Sequence, residues 1–279
     1  MTGKEKKAAR RVLFVWLVFL AAVFVAPILV VLLNSFKGQF YITDEPFRLP
    51  TAETFVGLTN YAAGIAKTGF WQAFGYSLFI TVCSVGVIVL FTAMTAWYIT
   101  RVKSRPARIF YYLLVFSMIV PFQMVMFTMS KLANMLGLDN PAGIVFIYLG
   151  FGAGLSVFLF SGFVRAIPEE IEEAAMIDGC NPIQMFFLVV FPMLRPTAVT
   201  IAILNTMWIW NDYLLPYLVI GNKYKTIPIA VQYLQGGYGS RDMGALMALL
   251  VLSIVPIIVF YLTCQKHIIK GVAAGAVKG

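Results

Sequence analysis

Charge is scarce in this chain: 12% of its 279 residues are charged, against 61% that are hydrophobic. Soluble globular domains carry about 25% charged residues, so that class is excluded. Histidine occurs once, at His267, which excludes a haem held by two histidines of this chain. The three cysteines, Cys83, Cys180 and Cys264, show neither metal-ligand spacing nor a disulfide framework and read as small packing residues. No stretch matches the phosphate-cradling pattern G-x-x-x-x-G-K-[ST], so any nucleotide site must be borrowed from another protein. Paired carboxylates in a dry cleft, a Ser/His/Asp triad and a metal cluster are also missing. The sequence therefore offers no catalytic residue, no metal site and no cofactor of its own.

What the chain has in quantity is long apolar runs. Residues 12–33 pass without a charge, about 33 Å as a helix, enough to cross a bilayer core. A cleaved signal peptide would have a shorter apolar core and a small-x-small site after it, so this run reads as a retained span. Further runs at 72–100, 109–130, 142–164, 197–220 and 243–264 bring the expected number to six, with the third broken near Pro121. Between them, 34–71 and 221–242 read as exposed connections. The domain reading is a tail at 1–11, a six-span domain at 12–264 with a polar loop at 166–195, and a second tail at 265–279.

The net charge of +9 does not point to nucleic acid, because the basic residues flank apolar runs instead of lining one polar face with aromatics. Of the 21 Lys and Arg, 14 fall on the side that holds both tails, the Arg101–Arg108 turn and the 166–195 loop. The richer side faces the cytoplasm, so both termini and that loop are expected there.

The 166–184 stretch gathers five of the twelve acidic residues. Pro168 suits the first helical position, with Glu169 and Glu170 at the positive end of the helix dipole. Ile171, Ala174, Ala175 and Asp178 share a helical face. Gly179 supplies a left-handed stop, and Asn181 with Pro182 and Gln184 forms a capping box for a second helix. Ala174 and Ala175 permit close approach to another surface, and Glu172 and Glu173 offer charge to a cationic partner. From these features alone the stretch is either a plug for another protein's socket or a capped interfacial connector.

Glu173-Ala174-Ala175, three residues, Gly179, nine residues, then Val189-x-Phe191-Pro192 resembles the EAA loop of ABC-transporter permease subunits. The family pattern is E-A-A, three residues, G, nine residues, I-x-L-P, and this chain departs from it only by two apolar exchanges. Asp178 and the Gly- and Ala-rich end at 271–279 resemble the sugar-type, maltose-type permeases. The resemblance covers nearly the whole chain. It implies an all-α polytopic membrane protein with the fold of a type I ABC importer permease, in which this loop docks on an ATP-binding subunit. Coupling would fall to Glu172, Glu173, Ala174, Ala175, Asp178, Gly179 and Pro192. The implied partners are a second permease subunit in a heterodimer, two cytosolic ATP-binding subunits that use ATP and Mg, and an extracytoplasmic solute-binding protein. The cargo would be an oligosaccharide or related polyol.

Within the spans, Asn205, Trp208 and Asp212 fall at i, i+3 and i+7, one face of the fifth, with Asn211 beside them. They read either as a pathway wall or as a rim carboxylate paired with Lys223 or Lys225 beneath an aromatic belt. Gln123, after Pro121, marks either a cavity or a packed interhelical amide. Gly150 and Gly154 form a small-xxx-small pair. Gln232, Tyr233, Gly236 and Gly237 are candidates for contact with the binding protein, or only a turn. Two other classes stand against the importer: a secondary transporter or channel whose loop is regulatory, and a structural membrane protein without a pathway. The first usually buries acids or histidines deep in its spans, and here only Asp212 is available.

Overall fold

A computed structural model describes residues 3–234 and 242–276. In chain order the helices are α1 (Gly3–Asn34), α2 (Gln39–Asp44), α3 (Thr59–Thr68), α4 (Phe70–Arg101), α5 (Arg105–Ser117), α6 (Phe122–Met135) and α7 (Gly143–Val164). There follow α8 (Glu169–Ile177), α9 (Pro182–Met193), α10 (Arg195–Asn211), α11 (Leu214–Val219), α12 (Ile227–Leu234) and α13 (Met243–Ala276). Among the described residues the one β feature is an isolated antiparallel bridge between Lys37 and Phe55. Helix α1 begins at Gly3 and α13 runs on to Ala276, so both helices extend into the stretches read as tails.

Among the described residues, four helices are long and apolar enough to cross a membrane: Ala9–Asn34, Phe70–Arg101, Gly143–Val164 and Met243–Lys266. Two bent pairs qualify together, α5 with α6 at 108° and α9 with α10 at 77°, which makes six crossings if each pair counts once. The third expected span is thus two helices meeting at a corner. Pro121 has no N–H to donate and disfavours helix in the residue before it, and its own backbone is extended at ψ 135°. The fifth expected span, 197–220, also needs correction. Its helix ends at Asn211, the backbone of Asp212 turns extended at ψ 123°, and a separate short helix resumes at Leu214.

The chain divides into two compact units. The first comprises Met1–Trp71 and Ala230–Pro256. Here the 34–71 connection is ordered by side-chain amides and hydroxyls. Asn60 Nδ2 donates to the carbonyls of Ser35 (2.9 Å) and Lys37 (2.8 Å), and the Ser35 hydroxyl meets the Tyr61 hydroxyl at 2.7 Å. Lys37 is buried and donates to the Glu45 carbonyl at 2.7 Å. Its desolvation lowers its pKa, with Glu45 acting in the opposite sense. The start of α13 packs on α3, where a side chain at Gly64 would press on Ala245 and Leu249. Asp242 caps α13 by accepting from the Ala245 N–H (2.9 Å) and also takes Lys67 Nζ at 2.5 Å.

The second unit comprises Gln72–Ile229 and Ile257–Gly279 and holds the apolar core. That core surrounds α7, whose Ile144, Tyr148, Val157, Phe160 and Val164 are wholly buried against residues such as Ile88, Ile201 and Val190. Close approach explains two glycines on α7. A Cβ at Gly152 would lie 2.7 Å from Ile88, and one at Gly154 would lie 2.6 Å from the Leu114 carbonyl of α5. Gly150 faces open space, so the tight pair is Gly152 and Gly154 and not the small-xxx-small pair expected.

Candidate functional site

The acidic stretch folds as two helices around a glycine corner. Pro168 sits just before the first helical residue, extended at ψ 135°, one position earlier than expected. Glu169, Glu170 and Glu172 occupy the first turn of α8, where the dipole favours them. The helix closes with the paired bonds of a Schellman motif: Cys180 N–H to the Ala175 carbonyl and Gly179 N–H to the Met176 carbonyl, each 3.0 Å. Gly179 takes φ +87°, a left-handed conformation in which a Cβ costs about 1–2 kcal/mol. The capping box follows, with Gln184 N–H on Asn181 Oδ1 (2.9 Å) and Asn181 N–H on Gln184 Oε1 (3.0 Å).

The faces of α8 divide differently from the sequence pattern. Ala175 and Glu172 turn inward, while Ile171, Glu173, Ala174 and Asp178 are exposed. Glu172 therefore does not offer its charge outward beside Glu173. Its Oε1 accepts from Arg101 Nε (2.8 Å) and Nη2 (2.6 Å), and its Oε2 accepts from Trp97 Nε1 (2.9 Å). Arg101 Nη2 also donates to the Ile167 carbonyl at 2.9 Å. The pair is largely buried, at 16% and 8% side-chain exposure, so a carboxylate with three donors clamps α8 to the end of α4. Trp97 extends the clamp by meeting Phe186 of α9 at 5.7 Å between ring centres.

Sequence reasoning missed Arg101 and Trp97 in this role, although their i, i+4 spacing places them on one face of α4. It also missed the outward apolar residues, Ile177 (86% exposed), Met176 (56%) and Ile183 (68%). Pro192 lies inside α9, beyond a π-helical stretch at Met185–Val190. Proline cannot complete the i−4 hydrogen bond, and the widened turn before it accommodates that loss.

The second candidate site joins α7 to the end of α10. Asp212 Oδ2 accepts from the Tyr148 hydroxyl at 3.1 Å, and Oδ1 accepts from the N–H groups of Leu214 (3.1 Å) and Leu215 (3.4 Å). The carboxylate thus caps α11, a task that ends α10 and explains the broken span. Trp208 stands edge-on to Tyr148, with ring centres 5.5 Å apart. Asn205 is buried, donating to the Ile201 carbonyl (2.9 Å) and reaching Ser156 Oγ at 3.4 Å. Asn211 is exposed, its amide on the Met207 carbonyl. Lys223, which with Lys225 is a rim partner for Asp212 in one reading of the sequence, lies over the Tyr224 ring at 5.2 Å. Gln123 is exposed in the first turn of α6. Gln232 and Tyr233 are exposed on α12, a helix where a loop was expected, whereas Gly236 and Gly237 lie outside the described residues.

Residues 88–274 match the family model for the binding-protein-dependent transport system inner membrane component. The chain is 37% identical over 263 residues to a probable starch degradation products transport system permease protein of Thermoanaerobacterium thermosulfurigenes, with 94% of each chain covered. It is 36% identical over 257 residues to a multiple sugar-binding transport system permease protein of Streptococcus mutans, covering 90% of this chain and 91% of that one. In three dimensions it is similar to a chain of a bacterial ABC transporter involved in the import of the acidic polysaccharide alginate. That match has a TM-score of 0.77 at 23% identity and covers 95% of this chain and 98% of the other. At that identity the likeness is one of fold.

Proposed function

The chain belongs to the family of binding-protein-dependent transport system inner membrane components, and from that premise we infer that it is the membrane-spanning permease subunit of an ATP-driven importer of oligosaccharides or related polyols. The observation that carries the reading is the α8–Gly179–α9 corner. Its inner side is tied to α4 by Glu172 and Arg101, and its outer side presents Glu173, Ala174, Met176 and Ile177. A helix held this way behaves as a lever: a push on its outer face is delivered to α4 without being lost in a flexible loop.

In this reading the acidic corner and both termini lie in the cytosol, where two ATP-binding subunits supply the force. A second permease completes the pathway, and an extracytoplasmic solute-binding protein delivers cargo, with Gln232 and Tyr233 as contacts. The names of the sugar permeases it resembles support the choice of cargo. Asn205, Trp208, Asn211 and Asp212 supply groups suited to hydroxyls and to a sugar face, with Trp208 half-exposed. This subunit performs no hydrolysis itself. The test is Gly179→Asp in the complete transporter: a Cβ there meets no neighbour, so the cost of adding it is the strain of the left-handed backbone. The variant is expected to insert normally while ATP-dependent uptake falls by at least about tenfold, the loss that about 1.4 kcal/mol of corner strain would produce. Full uptake by the variant overturns the docking role.

A further inference from the structure

Beside the clamp, where α4 ends, α5 begins and α7 gives way to the chain, lies a cavity of about 210 Å³. Its walls carry three cations, Lys103, Arg108 and Arg165, together with Tyr111 and Tyr112. The carboxylate against them is that of Glu169, 3.5 Å from Lys103 across an exposed pair, so the cations outnumber it. Arg165 is held over the Tyr111 ring at 5.7 Å. A cavity with surplus positive charge suits a phosphate group.

A second feature says what carries the phosphate. Ile109, Tyr112, Leu113 and Phe116 fall at i, i+3, i+4 and i+7, one stripe along α5, and each is 60–62% exposed. Tyr112 belongs both to this stripe and to the cavity wall, so an apolar track leaves directly from the basic pocket. A free phosphate has no use for such a track, whereas a phospholipid has both parts in the same order. We propose that this pocket binds the phosphate of an anionic phospholipid, with its acyl chains lying along the Ile109–Phe116 stripe of α5. Basic pockets between membrane helices commonly hold lipid headgroups. The inference goes beyond the transport reading and needs only that the chain sits in a bilayer.

The experiment uses the complete transporter, purified into nanodiscs of phosphatidylcholine with or without phosphatidylglycerol, then extracted gently and weighed by native mass spectrometry. Retained phosphatidylglycerol is expected on the wild-type chain, and phosphatidylcholine is not. Each cation near an anionic lipid is worth about fivefold in affinity, so Arg108→Gln with Arg165→Gln should weaken retention about 25-fold, and Arg108→Gln alone about fivefold. Arg105→Gln, outside the cavity, should stay within about twofold of wild type, a margin well below the effect of one pocket cation. Equal retention of both lipids, or undiminished retention by the double variant, overturns the proposal. Displacement of the lipid by millimolar inorganic phosphate overturns the lipid assignment. Since the readout is bound lipid, failure here is distinct from failure of the transport reading.

Discussion

Glu172 and Arg101 set the terms at the residue scale. Each is stranded in a mostly dry place if the other is removed, and breaking one side of a buried pair costs about 3–5 kcal/mol. Glu172→Gln is therefore expected to lower the melting temperature of the purified subunit in detergent clearly. Joining it to Arg101→Met should recover much of the loss, because the buried cation is gone too. A double variant no better than the single one would mean that the ion pair is not what secures α8. Asp242 makes a milder, pH-dependent case. Burial pushes its carboxyl up, but the Ala245 N–H and the Lys67 ammonium outweigh that and hold it below the usual carboxylate range. Folded Asp242 thus binds its proton more weakly than the unfolded residue, near 3.9, so its contribution is full above that pH and fades as pH falls through the folded value. Hydrogen exchange in the first turn of α13 should accelerate in that acid window. Asp242→Asn should remove the pH dependence, while Lys67→Met costs less than about 1 kcal/mol.

At the scale of elements, what was legible in the sequence was local. The Asn181–Gln184 capping box and the Gly179 corner depend on residues within a few positions of one another, and both form as their spacing implies. The Glu172 clamp joins positions 71 residues apart, and nothing in the spacing of α8 says which face will meet α4. Asn205, Trp208 and Asp212 looked like one helical face because periodicity treats a carboxylate as any other polar position. In the structure Asp212 serves as a cap, which stops the helix before the pattern completes. The glycine pair on α7 shifted for a similar reason, since a pattern of small residues does not record which of them faces a neighbour. The corner itself makes a prediction at this scale. Ile177 is 86% exposed at the tip of α8, so Ile177→Asp should leave the fold and the Glu172 clamp intact. If that tip fills a socket on the ATP-binding subunit, a buried anchor of this kind is worth 2 kcal/mol or more, about 30-fold in affinity. Detergent-solubilised complexes should lose the ATP-binding subunits on size exclusion while the permease pair survives. Retention of those subunits at wild-type levels would move the docking surface elsewhere.

For the whole molecule, the apolar surface and the lack of a phosphate-cradling pattern in the sequence bear on the same proposal. Within Ala9–Asn34, residues 12–29 carry no charge and are left almost uncovered by the rest of the chain, and mean hydropathy over the protein is +0.86. Such a surface is stable when covered by lipid or by another membrane subunit, because water would order along it at about 25 cal/mol for each Å² exposed. On the proposed reading the clamped corner is a lever driven from another subunit, in keeping with a sequence in which no stretch matches G-x-x-x-x-G-K-[ST]. A protein able to concentrate solute alone would need an energy store of its own, such as paired acids or histidines deep in the spans, and here Asp212 is bonded to Tyr148 and to the start of α11. Vesicles containing this chain alone are therefore expected to show no uptake of labelled oligosaccharide above empty vesicles, with or without ATP or a proton gradient. Adding the second permease, the ATP-binding subunits and the solute-binding protein should produce uptake that stops when ATP is withdrawn. Steady flux through the lone chain would show that the acidic corner regulates a pathway the chain already drives, and the lever would lose its purpose.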